Sequence, residues 1–540
     1  MSYLEKFTGD WNSAQARHLL RRTTFGPLQA DVVSAVQLGL DGTLDALFAA
    51  VNNPDPPVKY LPDGSGSNAL NDPGAKQGET WIHADPFPSV NPPMLRNRVI
   101  RARSKSLYAW TILQMHYSDM SIREKLTLFW HNHFVTTSIV PHREYIYHML
   151  LRSHSLGNFR QLTKDITIDT SMLQYLSGAE NTSAAPNENY SRELLELFTV
   201  GKGPLIGPGD YSNYTERDVI EMAKVLTGWS VSHVSDPATL TASFDSRRHS
   251  TGVKQLSKHF GGAVIGENGE DEYEDLVDVI FQQEVCSRFI MRKLYRWFVH
   301  SNITPEVEQQ VIEPLALQMR TDDYDIAPAL KTLFASDHFF RSTACMIKSP
   351  IDLLFSASRA LGAKPPKSGV QEEYEYAFNL YAMAAELEQA MFNHPDVAGW
   401  KAYYQEPGLD RNWLNNLLLP KRHELCRAIV EGGTITIDGD NYRIAPMVPV
   451  LDLAAGVPNA GDISALVMGL AERMFNYSIS SGQLTALKNI VLQGLPDYEW
   501  TVEYGEYVAD PGNDALRVPV ENNLRRLLSV MMGMSEFQVM

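Results

Sequence analysis

Apolar side chains recur at three- and four-residue spacing along most of this chain, a period that only helices bury on one side. In SRFIMRKLYRWFV (287–299), Phe289, Leu294, Trp297 and Phe298 return at helical spacing and predict a core helix. Residues 30–50 read as two short amphipathic segments split at Gly39 to Gly42, and residues 94–120 as a longer one. Helices follow closely over 121–229, where Thr215 and Asp218 make a capping-box start, and again over 271–362. Alternation of period two is clear only in TITIDGDNYRI, on either side of Asp438 to Asn441, so one hairpin near 434–444 is expected. The segments PALKTLFASDHFF (328–340) and LRRLLSVMMGMSEFQ (524–538) echo each other, each an apolar helix closing on Ser, an acid and Phe.

At 540 residues the chain exceeds one ordinary hydrophobic core. The expected fold class is mainly α: a large multi-helix single domain with a smaller C-terminal helical subdomain and one minor β-hairpin. Its parts are N-terminal helices over 1–51, a Pro- and Gly-rich insertion loop over 52–93, a helical core over 94–362 and the C-terminal subdomain over 363–540. Nine of the thirty prolines, with GSGSN among them, fall within 52–93, and a loop of that length is either a functional lid or tolerated decoration.

A formal net charge of −17 argues against nucleic-acid binding, which needs a cationic surface. Cys286, Cys345 and Cys426 are odd in number and without a CxxC, which argues against a disulfide framework or structural zinc. No window approaches the apolar length of a membrane span. The start, MSYLEKFTGDWNSAQARHLL, lacks the basic and apolar stretches of a signal peptide, so a cytoplasmic location is expected; export with a partner or after removal of a leader is the alternative.

Five of fifteen histidines, His131, His133, His142, His148 and His154, lie within 24 residues. Two of them close the run LTLFWHNHFVTT (126–137). On a helix, residues two apart point about 200° from each other, so His131 and His133 share a target only from an extended segment. The β-branched FVTTSIVP that follows, running into Pro141, predicts that the helix ends near Trp130 or His131. In NENYSRELLELFTVG (187–201), Glu188, Arg192 and Glu196 share a helical face, and Glu193 neighbours Glu196. The readings are a solvated salt ladder, a buried network, or carboxylates working opposite the histidines. His131, His133, Glu188, Arg192, Glu193 and Glu196 are the candidate catalytic set, and His131, His133 and Glu196 the candidate ligands of a divalent metal. Arg247, Arg248, His249 and Lys254 form a basic knot, of which Arg248, His249 and Lys254 are candidate substrate contacts for a phosphate, sulfate or carboxylate. No GxGxxG, Walker loop, HExxH or GxSxG is present.

The segments ARHLLRRTTFGP (16–27), REKLTLFWHNHFV (123–135), NENYSRELLELFTVG (187–201), YTERDVIEMAKVLTGW (214–229), RRHSTGVKQ (247–255), RFIMRKLYRWFV (288–299), IKSPIDLL (347–354) and FNHPDVAGW (392–400) carry a resemblance. Together they resemble the bacterial family known as domain of unknown function 1800, in the form common in Bacteroidetes. The resemblance implies a largely helical protein, often exported and often found beside a sulfatase-like protein of the domain of unknown function 1501 family. It also implies His where Phe198 stands and Asp where Ser250 stands. Two functions are expected on this basis. One is metal-assisted or acid/base hydrolysis of an anionic or glycan-derived substrate. The other is a non-catalytic binding or assembly protein that partners the sulfatase-like neighbour.

Overall fold

Short polar side chains set where the helices of this protein begin. The computed structural model describes residues 3–64, 69–89, 93–232, 240–343, 345–437 and 440–540. In it Asn12, Asn158, Asp169, Asn187, Asp325, Ser349, Asp462 and Asn513 each accept from a backbone N–H in the first turn of the helix that follows. Thr215 and Asp218 make the reciprocal capping box that TERD suggests. Gln29–Leu47 is broken at Gly39, whose φ of 73° splits it as the sequence indicates. The echoed segments also share a geometry. Ile326–Ala335 and Asp514–Gly533 each stop at an extended residue, Ser336 or Met534, before a short helix that buries Phe339 or Phe537.

Helix accounts for 57% of the chain and every sheet among the described residues has two strands, so the protein is mainly α. Gly433–Ile437 pairs with Asp440–Ile444 in the expected hairpin, whose turn residues Asp438 and Gly439 lie outside the described residues. Three further ribbons occur between 205 and 265, where one was not expected. Their strands of two or three residues are too short to carry a period. Within 52–93, Ser65 to Asn68 of GSGSN also lie outside the described residues. The described part is pinned to the Pro93–Tyr117 helix: Trp81 donates to Ser106 Oγ at 3.0 Å, and Arg103 clamps Asp72 with two N–H groups at 2.7 and 2.6 Å. Among the described residues no helix is long and apolar enough to cross a membrane.

One continuous set of buried apolar side chains extends from Ala16 to Phe537. The Arg123–His133 helix, here the HNH helix, lies inside it, with every residue from Glu124 to His133 buried. A helix without a wet face must find partners for its polar groups inside the protein. Glu124 accepts from Arg152 Nε at 2.8 Å, and Lys125 pairs with Asp352. Asn132 Oδ1 accepts from the backbone N–H of Trp400 at 2.8 Å, which ties the HNH segment to FNHPDVAGW. Gly399 is required at this joint: its φ is +90°, and a Cβ there would stand 2.4 Å from Asn132 Oδ1.

Gly399→Ala combines that clash with a left-handed backbone and should lower unfolding stability by about 2–3 kcal/mol, read from the urea midpoint at constant m-value. Asn132→Ala leaves a buried N–H unpaired and should remove about 1–3 kcal/mol. Midpoints equal to wild type would show that this joint does not hold the fold.

Candidate active site

The HNH helix runs through His133, and Phe134 is the first residue to leave it. The expected end near Trp130 or His131 is therefore corrected. Residues 135–140 are non-helical as their β-branching suggests, but the contacts of Asn132 and His133 keep the last turn helical. His131 and His133 consequently point to different sides, and each meets its own set of groups.

On the His133 side stands the Leu194–Thr199 π-helix, which prolongs the Glu188–Glu193 helix. Such wide turns recur at functional sites. Phe198 O lies 3.0 Å from His133 Nε2. A carbonyl only accepts, so Nε2 carries the proton and Nδ1 of the neutral ring is an acceptor. Lys293 Nζ lies 3.0 Å from that Nδ1 and 3.0 Å from Leu197 O, and 5.1 Å above the Phe289 ring. None of these partners is anionic. Burial, with Arg296 adding repulsion, pulls the Lys293 amine down to about 7. Burial and then the Lys293 charge hold His133 well below the imidazole range. The pair thus carries one exchangeable proton near neutrality, on the lysine. Lys293, His133, Asn132, Trp297, Tyr403 and Tyr404 line a cavity of about 10 Å³, room for one water-sized molecule.

On the other side, the His131 ring lies 4.7 Å from Phe392, 4.8 Å from His394 and 6.3 Å from His148. None of the six ring nitrogens of these three histidines finds a hydrogen-bond partner. Burial pulls His131 down to about 4, and burial plus the neighbouring imidazole holds His148 and His394 well below 6.5. All three rings are neutral at pH 7. His142 and His154 turn elsewhere, to Trp81 O at 3.1 Å and Asp165 at 2.8 Å.

The proposed metal ligands His131, His133 and Glu196 do not meet. The helix separates the imidazoles, His133 uses both nitrogens, and Glu196 accepts from Tyr214 and from Lys202 at 3.1 Å. Among the described residues no group of three or more His, Cys, Asp or Glu is arranged to hold a metal ion. His131, His133 and Glu196 as placed here do not fit one ion.

Glu188, Arg192 and Glu196 form a partly exposed ladder, centred on Arg192, which donates to Glu216 at 2.6 and 3.0 Å and lies 3.3 Å from Glu188 and 3.6 Å from Glu196. Glu193 stands off it. Burial, then Glu196, then Asp396 after the opposing pull of Arg192, push the Glu193 carboxyl up. Asp396 also raises Tyr404, a wall of the Lys293 cavity, after burial. Asp396 thus acts on both Glu193 and Tyr404. Within the basic knot His249 and Lys254 face inward, whereas Arg247 is exposed and pairs with Asp245 at 2.9 Å. Lys254 and His249 hold Glu272 at 2.6 and 3.1 Å, with all three buried, and Arg248 donates to Ala179 O at 2.9 Å. Of the expected substrate contacts, Lys254 and His249 are taken up by an internal carboxylate and Arg248 by a backbone carbonyl.

Sequence reasoning passed over Lys293. Its signal is its place, four residues after Phe289 and four before Trp297, on the face read as apolar.

Three of the sequence segments, ENYSRELLELFT, RKLYRW and FNHPDVAGW, now surround the helix that carries HNH. Residues 18–539 match the family described as "Protein of unknown function (DUF1800)". The chain belongs to that family. No curated protein and no solved structure matches it. In this DUF1800 chain the Phe198 ring lies 6.0 Å from the His133 ring, so the position where relatives are expected to carry His stands beside His133.

The buried imidazoles set an acid limit. The unfolded chain takes up their protons near pH 6.5 whereas the folded chain does not, so stability is full above 6.5 and falls as pH drops toward 4. At pH 5 each ring should cost about 2 kcal/mol. Thermal unfolding followed from pH 7 to pH 5 should show this fall, and His148→Phe should flatten it. An unchanged pH profile in that variant would refute the assignment.

Proposed function

We propose that the protein is an acid/base catalyst of hydrolysis whose working group is Lys293, positioned by His133. The observation that carries the reading is the Lys293 amine, held by two neutral acceptors at 3.0 Å and bordering a cavity of one-molecule size. With its two N–H bonds directed at His133 Nδ1 and Leu197 O, the neutral amine keeps its lone pair for the cavity. It can take a proton from a water there, and the ammonium so formed donates to His133, to Leu197 O and back into the cavity. A base that titrates near the operating pH serves both steps. The anionic or glycan-derived substrate expected from the sequence is carried into this reading, and no step passes through a metal.

Competitive acetylation with trace acetic anhydride, read by mass spectrometry across pH, tests the reading without a substrate. Lys293 should become reactive with a midpoint near pH 7, whereas exposed lysines follow about 10.4. A Lys293 midpoint above 9 would overturn it. The linkage is also fixed in sign: the unfolded lysine holds a proton that the folded one releases above about 7, so folding is disfavoured below and relieved as pH rises toward about 10.4. Lys293→Met should therefore stabilise the fold at pH 7 and lose that gain at pH 10.

A second reading, assembly with a partner, is supported by Tyr498 and Val502, which are 62% and 51% exposed and four residues apart on the Tyr498–Ala509 helix. The resemblance suggests a sulfatase-like protein of the domain of unknown function 1501 family. Co-expression should yield a complex on size-exclusion chromatography that Val502→Glu dissociates; separate elution of the wild-type pair would sink it.

A further inference from the structure

Residues 387–417 join the Val370–Glu386 and Leu418–Glu431 helices with only two short 3-10 turns, Lys401–Tyr403 and Leu409–Trp413. Connections of this length inside a packed domain are usually functional. Of the eight non-glycine residues with left-handed backbone among the described residues, three lie on it: Glu388 (φ 67°), Phe392 (62°) and Leu409 (46°). Such a conformation is costly for an aromatic residue and is retained where surrounding structure enforces it, often at ligand sites.

This segment lines an open cleft of about 600 Å³, within the range of small-molecule sites. Four amides line it: Asn393, Gln405, Asn412 and Asn415. Glu388 and Lys401 are its charged residues, one of each sign, so it has no charge preference. Among the described residues the side chains of Glu388, Asn393, Lys401 and Gln405 make no hydrogen bond or ion pair. Buried Trp413 adds an apolar panel, and His394 in the wall is 7% exposed with both ring nitrogens unpartnered. Amides donate and accept from one planar group, which matches the paired donor and acceptor character of neighbouring hydroxyls.

We propose that this cavity binds a neutral, hydroxyl-rich ligand of saccharide type. The site is distinct from the Lys293 cavity, and the two share no lining residue. They draw on alternating stretches of one segment: His394, Lys401, Ala402 and Gln405 face the amide cavity, and Ala398, Tyr403 and Tyr404 the amine cavity. The inference therefore stands whether or not Lys293 is a catalyst.

The test is saturation-transfer-difference NMR on the full chain with cellobiose, maltose and N,N′-diacetylchitobiose, with glucuronate and glucosamine as charged controls. At least one neutral disaccharide should bind. Gln405→Leu and Asn393→Leu, both at exposed positions, should each weaken it about tenfold, the loss of roughly one hydrogen bond. Lys293→Met should leave it unchanged. Binding of none of the three disaccharides, tighter binding of a charged control, or equal affinity in both amide variants with wild-type melting curves would each overturn the proposal.

Discussion

The HNH helix is buried on every side, and that constraint organises the centre of the molecule. A helix at a surface turns its polar residues to water, whereas this one pairs its polar residues within the chain, His131 excepted. Glu124 finds Arg152, Lys125 finds Asp352, Asn132 finds Trp400, and His133 finds Phe198 and Lys293. These partners come from segments up to 268 residues away, so meeting the needs of one helix draws the ENYSRELLE, RKLYRW and FNHPDVAGW segments together. Breaking one member of such a set leaves a buried polar group unpaired, which is more costly than the contact itself was favourable.

The same burial separates two chemistries by one residue. His133 is fixed as an Nε2–H tautomer by a carbonyl and so presents an acceptor to Lys293. His131 meets mostly aromatic surface and two other neutral imidazoles. Had the helix ended at Trp130, both rings could have faced one target, and a shared ion would have been a reasonable arrangement. One further helical turn divides them between a proton-carrying pair and a low-polarity cluster.

Much of the helical plan was legible because it rests on local rules. The capping box at Thr215, the break at Gly39 and the hairpin at 434–444 each follow from a few adjacent residues. What was not legible depends on distant contacts. The last turn of the HNH helix contradicts its β-branched neighbours and is held by Trp400 and Lys293. Lys254 reads as surface charge until Glu272 arrives beside it. Glu188, Arg192 and Glu196 were grouped correctly by helical spacing, but spacing does not say that a fourth member, Glu216 from the next helix, accepts the two shortest bonds from Arg192.

Lys254, fully buried, and Lys293, partly buried, differ in what surrounds their charge. Lys254 sits against a carboxylate, and its site is complete: His249, Thr227 and Glu272 satisfy one another and leave nothing to offer a ligand. Lys293 is surrounded by equally well-placed groups that are all neutral, so its charge is not compensated and its proton is easily lost. A buried charge without a counter-charge destabilises the fold, and evident means of relieving it, such as a leucine, would pack as well on an apolar helical face. Phe198 fits the same logic. By filling the space beside His133 with a ring that neither donates nor accepts, it leaves Nδ1 with Lys293 as its hydrogen-bond partner and keeps the pair electrically isolated.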